Sequence, residues 1–162
     1  GGVGGRRFPW GNTITHSQAN YYSLDGFTYD LSPTRGDHLE FNDEVYPYTS
    51  PVDYFTPNGY GLFNMAGNVW EWCWDWYGEY SSGSQTDPRG AASGTFRVFR
   101  GGGWGLAAFD CRLAYRYYDS PPHRGYGIGF RAVLATGQQG TDRTESEAAR
   151  SRQKTQSGEE GR

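Results

Sequence analysis

Between Pro57 and Tyr77 the chain reads PNGYGLFNMAGNVWEWCWDWY, and this stretch constrains the fold more than any other. Trp70, Trp72, Trp74 and Trp76 alternate strictly with Glu71, Cys73 and Asp75. Alternation at period two places successive side chains on opposite faces, so the stretch predicts a strand. One face is a row of indoles, and the other carries two carboxylates and a thiol. Indoles are among the largest apolar contributions a small core can receive. Before the strand, Asn64-Met65-Ala66-Gly67-Asn68 is built from residues that hold tight turns.

The remainder has to fold around that strand with few aliphatic side chains. Aromatic residues are 17% of the chain, so Trp, Tyr and Phe supply much of the core. With 25 Gly and 8 Pro in 162 residues, the pattern is one loop-rich domain with short strands. Further strands are predicted at residues 96–100, 111–117 and 127–134, with a bend at Gly101-Gly102-Gly103. Residues 12–57 show little helical periodicity, and Pro47, Pro51 and Pro57 punctuate an extended path. Residues 136–162 hold no aromatic side chain and no aliphatic one larger than Ala, which predicts a disordered tail. A net charge of −3 and a pI near 5.6 argue against an electrostatic nucleic-acid binder. No apolar run is long enough to span a membrane, and no signal peptide is visible.

Several spaced motifs agree on a family. The Trp-rich stretch, GRRFPWG at 5–11, RGGGW at 100–104, CRLAYR at 111–116 and IGFR at 128–131 together resemble the formylglycine-generating enzyme, or sulfatase-modifying factor, family, in the same order. The resemblance covers residues 1–135. It implies an α+β domain of C-type lectin-like fold, loop-rich with short antiparallel strands. It also implies that the N-terminal part of the family domain is missing here. One fold hosts several activities, so function has to be argued from the site.

The resemblance implies structural calcium. In the family's enzymes the positions matching Asn64 and Glu71 bind calcium through side chains, and those matching Gly67 and Val69 through backbone carbonyls. Calcium takes six to eight oxygens, which a tight turn can supply. A buried Glu71 among indoles also needs a partner charge. A second family site maps to Asn20, the carbonyl of Tyr21, Glu44 and the carbonyl of Tyr46, with Asp43 competing for the role of Glu44.

The cysteines separate this chain from the family's oxidases. Those enzymes hold copper on two active-site cysteines with four residues between them, and thiolates suit Cu(I) because both are soft. Here Cys73 and Cys111 are the only cysteines, so no such pair exists and no copper is expected. The two could form a disulfide or stay as buried thiols. His16, His38 and His123 have no metal-ligand spacing. Glu71 and Asp75 lie about 13 Å apart along a strand, beyond the ~5–9.5 Å that paired glycosidase carboxylates need.

Residues 105–127 remain as the candidate ligand face. Trp104, Leu106, Phe109, Asp110, Tyr115, Tyr117, Tyr118, Asp119, His123 and Tyr126 fall in or beside this window. Tyr-rich surfaces offer large contact area at low entropic cost. The window also resembles the variable region of retroelement-diversified proteins of the same fold type. On a strand, Tyr115 and Tyr117 would share one face, with Arg116 and Tyr118 on the other. Arg112, Arg116 and Arg124 are expected in support of loop carbonyls or carboxylates. The expected function is a calcium-stabilised, non-catalytic domain that binds a protein or glycan. The alternatives are a formylglycine-generating oxidoreductase acting on a sulfatase cysteine, and a structural accessory domain.

Overall fold

The computed structural model describes residues 4–86 and 88–133. The chain divides after Arg131 into a compact unit and a C-terminal unit, Ala132–Arg162, nearly all of which lies outside the described residues. The expected disordered tail, and Leu134 of the last predicted strand, fall there.

Four strands form one sheet: β1 (Trp70–Trp76), β2 (Arg97–Arg100), β3 (Tyr117–Asp119) and β4 (Ile128–Phe130). Their order is β3-β2-β1-β4. β1 has the bounds that its alternation predicts. It pairs antiparallel with β2, with Glu71 opposite Arg100 and Trp72 opposite Phe99. β3 pairs antiparallel with β2.

Two expectations are corrected. The sheet is mixed, because β4 runs parallel to β1, with Trp70 opposite Ile128. After β3 the chain crosses to the far edge of the sheet through residues 120–127, so β4 enters in the direction of β1. There is no helix among the described residues, so the α component is not seen in them. The density of Gly and Pro leaves little room for one.

The row of indoles is also broken. The β1–β2 register shifts between Trp72 and Trp76. Trp72 packs on Phe99 with ring centroids 3.9 Å apart, whereas Trp74 is 86% exposed. The Arg97 guanidinium lies 3.5 Å from the Trp76 ring centroid and 5.3 Å from that of Trp74.

The predicted strand at 111–117 is turns over 111–114, and ladder pairing starts only at Tyr117. Amide-to-carbonyl bonds link Asp110 to Ala107, Arg112 to Phe109 and Tyr115 to Arg112. These turns drive Cys111 into the core, where it is 1% exposed. Its cluster comprises Phe8, Ile14, Ala19, Tyr21, Ala66 and Ala108, with Trp10 and Tyr29 packed against it. Most of this core comes from loops, so the loops are held by burial rather than by ladder hydrogen bonds. Cys73 and Cys111 are both free thiols.

Within that loop core sits one buried carboxylate, Asp30. It accepts from the Tyr21 hydroxyl at 2.6 Å, the Ser23 hydroxyl at 2.8 Å and the Ser32 amide at 3.1 Å. The Arg35 guanidinium lies 3.9 Å away and also pairs with Asp25. Burial pushes the Asp30 pKa up, but these hydrogen bonds and the Arg35 charge outweigh it and hold the carboxyl below its usual range.

Candidate functional site

The turn before β1 is the junction of the loops. Asn64, Gly67 and Asn68 all have left-handed backbone, with φ of 50°, 78° and 70°. Asn and Gly are the residues that tolerate this conformation. The Gly67 amide donates to the Gly101 carbonyl and the Asn68 amide to the Asn20 carbonyl, each at 2.7 Å. The Asn68 side chain bonds both backbone groups of Ser50, accepting at 2.8 Å and donating at 3.2 Å. The Trp104 amide donates to the Asn68 carbonyl, and the Trp70 amide to the Gly127 carbonyl. Asn68 thus ties three loops together. Its Gly-Asn setting signals the tight turn but not these long-range bonds.

All four residues of the first calcium-type set line one cavity of 200 Å³, together with Val52, Phe63 and Arg131. The Asn64 side-chain amide nitrogen donates to the Pro51 carbonyl at 3.3 Å, while its Oδ1 is buried with no hydrogen-bond partner. Glu71 meets Arg131 in a two-pronged pair, with Nη2 at 2.6 Å and Nε at 3.0 Å. Arg131 also donates to the Phe63 carbonyl. The partner charge that Glu71 requires is therefore supplied at least in part by Arg131, 60 residues away in sequence. A carboxylate has about four lone-pair sites, so each oxygen keeps one after binding a guanidinium. An orphaned amide oxygen beside such a carboxylate fits a calcium ion.

The second set is engaged differently. The Asn20 side chain donates to the Tyr48 carbonyl at 2.7 Å, and the Tyr21 carbonyl meets His16 Nε2 at 3.0 Å. Glu44 is exposed, with φ of 65°, and makes no ion pair among the described residues. The Tyr46 ring packs edge-on against Trp104 and Tyr126.

The residues of the predicted ligand face separate into groups. Trp70, on β1, gathers the first. Its ring lies 6.0 Å from both Tyr115 and Tyr117 and 6.1 Å from Phe99. Phe109 packs on Tyr115 at 4.9 Å and reaches Phe27 at 6.3 Å. Arg112 lies over the Phe109 ring at 3.6 Å, with Nε donating to the Phe109 carbonyl. Tyr115 and Tyr117 do share a face, but Tyr115 reaches it from a turn rather than by strand alternation. Asp110, half-buried beneath Tyr115, has its carboxyl pushed up by burial.

A second group joins Trp104 and Tyr126 with Tyr46 and Tyr48. The Trp104 indole Nε1 is buried and unpartnered. Tyr118 packs on Tyr77 and Phe96 and also stacks on Tyr117, with centroids 5.7 Å apart. Asp119 and His123 pair with each other at 3.5 Å, and the Leu106 carbonyl accepts from Tyr22. Arg116 donates to the Gly78 carbonyl at 2.9 Å, the loop-carbonyl support that its position suggests. The sequence reading missed Trp70, Phe27 and Arg112 as members of the face. Burial pushes both thiols up, Cys111 more than Cys73, so neither is an activated nucleophile.

The model of the sulfatase-modifying factor enzyme 1-like domain matches residues 1–136. The chain belongs to this family. It is 37% identical over 141 residues to the formylglycine-generating enzyme of Thermomonospora curvata, covering 82% of this chain and 44% of that protein. It is 37% identical over 137 residues to the serine/threonine-protein kinase pkn1 of Chlamydia pneumoniae, covering 82% of this chain and 18% of that one. The chain therefore spans less than half the length of these curated relatives. Among solved structures, Treponema denticola variable protein 1 is 44% identical, with a TM-score of 0.48, over 51% of this chain and 30% of that chain.

Proposed function

We propose that this family domain is a non-catalytic binding module that takes a protein partner on the aromatic face centred on Trp70, with calcium bracing the turn beneath it. The carrying observation is the continuous run of rings from Phe27 through Phe109, Tyr115 and Trp70 to Tyr117. Tyr117 is 47% exposed and Phe109 36%, so the run is open to a partner. Aromatic residues with an adjacent Arg112 match the composition of interface hot spots. The rigid sheet fixes Tyr117, which lowers the ordering cost of binding. Catalysis by the family's copper-thiolate route is disfavoured because Cys73 and Cys111 are the only cysteines and both have raised pKa values.

The test uses peptides selected from a display library on the intact domain. Tyr117→Ala or Phe109→Ala should cost about 2 kcal/mol or more of their affinity, the loss seen at hot spots. Tyr60→Ala, at an exposed position that joins none of these rings, should leave affinity unchanged. Peptides indifferent to both Tyr117→Ala and Phe109→Ala would overturn the assignment of the face. Glycans that bind there in place of peptides would overturn the partner class.

Calcium is tested by thermal unfolding in calcium and in chelator. Binding to the native state alone stabilises by about 2.7 kcal/mol at a hundredfold excess over Kd. Asn64→Gly keeps the left-handed backbone and removes the orphaned oxygen, so the calcium-dependent gain should shrink or vanish. Glu71 is a poorer probe, since its loss also breaks the Arg131 pair. Identical melting of the wild type in calcium and chelator would end the proposal.

A further inference from the structure

Around the part of β1 that carries Cys73 and Asp75 lies a cavity of 760 Å³. β1 contributes Asp75 and Trp76 to its floor, β2 contributes Arg100, and Arg116 enters from just before β3. The loop after β1 forms the far wall with Glu79, Tyr80 and Arg89. This wall is built close. A Cβ on Gly90, at φ +76°, would meet the Asp75 Cβ at 2.6 Å, and one on Gly78 would meet the Ala91 Cβ at 3.0 Å. A backbone bridge between Trp76 and Ala91 fastens the loop to the strand. Glycine thus lets the loop approach and enclose a cavity within the ~300–1,000 Å³ range typical of small-molecule sites.

Its chemistry is specific. Arg100 and Arg116 have no carboxylate partner among the described residues. Each is held instead by a backbone carbonyl: Arg100 Nη1 donates to Tyr115 at 2.7 Å, and Arg116 Nη2 to Gly78 at 2.9 Å. Arg116 is further fixed over the Tyr80 ring at 3.8 Å. A neutral acceptor orients a guanidinium without cancelling its charge, and the other donors of the fork stay available. A positioned guanidinium binds a carboxylate in two-pronged fashion. Asp75 and Glu79 line the same space, and neither pairs with an arginine among the described residues. They can accept from hydroxyl groups. Tyr80, 70% exposed, offers the ring face that Arg116 does not cover to the C–H side of a sugar ring.

From this set we infer that the cavity binds a short acidic saccharide, with its carboxylate on the Arg100 and Arg116 forks, its hydroxyls on Asp75 and Glu79, and a sugar ring against Tyr80. This site is separate from the protein-binding face proposed above, and each can fail without the other.

The experiment is calorimetric titration of the full chain with digalacturonate, with the neutral disaccharide galactobiose, with triglutamate and with inorganic sulfate. Digalacturonate is expected to bind, and the other three to bind at least about tenfold more weakly. Arg100→Gln should weaken digalacturonate binding about tenfold, the loss expected for a hydrogen bond to a charged group. Tyr117→Ala, outside the cavity lining, should leave it unchanged. Should Arg100→Gln fail to fold, Tyr80→Ala removes the ring wall from a residue that is 70% exposed, and it should also weaken binding. Three outcomes overturn the inference: no digalacturonate binding, equal binding of triglutamate or sulfate, or binding that survives both Arg100→Gln and Tyr80→Ala.

Discussion

Gly67→Ala is expected to destabilise the domain by about 3 kcal/mol or more, which places it among the largest single-residue effects. A Cβ at this position would lie 2.4 Å from the Asn20 carbonyl oxygen and 3.0 Å from its carbon. Those atoms are backbone and cannot swing aside. The same oxygen accepts the Asn68 amide, so relieving the clash lengthens a buried hydrogen bond. The φ of +78° adds the strain that any side chain meets in the left-handed region. Gly11→Ala is the control: a Cβ there meets nothing within 4 Å. Denaturant unfolding of the two variants checks the prediction. Gly67→Ala melting with the wild type would mean that the turn is not packed against Asn20.

Asp30→Ala should cost a comparable amount. It strands the Ser23 hydroxyl proton and the Ser32 amide, while the Tyr21 hydroxyl keeps the Ser32 hydroxyl at 2.7 Å, and each buried group left unsatisfied costs about 1–3 kcal/mol. Asp30→Asn retains acceptor capacity on one atom and should cost less. The wild type's acid response follows from the same geometry. The Asp30 pKa is lower folded than unfolded, so its contribution is complete above the unfolded value, about 3.9, and is lost as pH falls through the folded value. His16 acts earlier. Burial is the largest cause of its lowered pKa, and the nearby His38 lowers it further against the opposing Tyr21 carbonyl, Asp30 and Asp37. Its neutral form is therefore favoured in the fold, and stability starts to fall below the unfolded pKa of about 6.5. Urea midpoints measured from pH 8 to pH 3 should decline in two stages. The first is absent in a folded His16→Gln variant, and the second is blunted in Asp30→Asn. A flat profile across this range would contradict both assignments.

The legible parts of this protein were those governed by local chemistry. The β1 bounds could be read because seven residues alternate without a break, and period two has one structural meaning. Asn64, Gly67, Val69 and Glu71, which the family resemblance singles out, reach one cavity because they lie within one turn and the strand it feeds. The segment 111–117 misled for the converse reason. CRLAYRY alternates well enough for a strand, but burial of Cys111 beside Gly102 and the turns around it won over ladder pairing. Here propensity lost to packing.

By itself, then, the sequence determined the family, the central strand, the glycine- and asparagine-dependent turn before it, and the absence of a cysteine pair with four residues between its members. Each is a property of neighbouring residues or of composition. Tertiary structure alone decided that β4 runs parallel to β1, that Arg131 pairs with Glu71, that Phe27 joins the Trp70 rings, and that Arg100 and Arg116 share a cavity. Each of these joins segments separated by many residues along the chain. Such contacts depend on which crossings the chain makes and which apolar surfaces it can bury together, and no local periodicity carries that information.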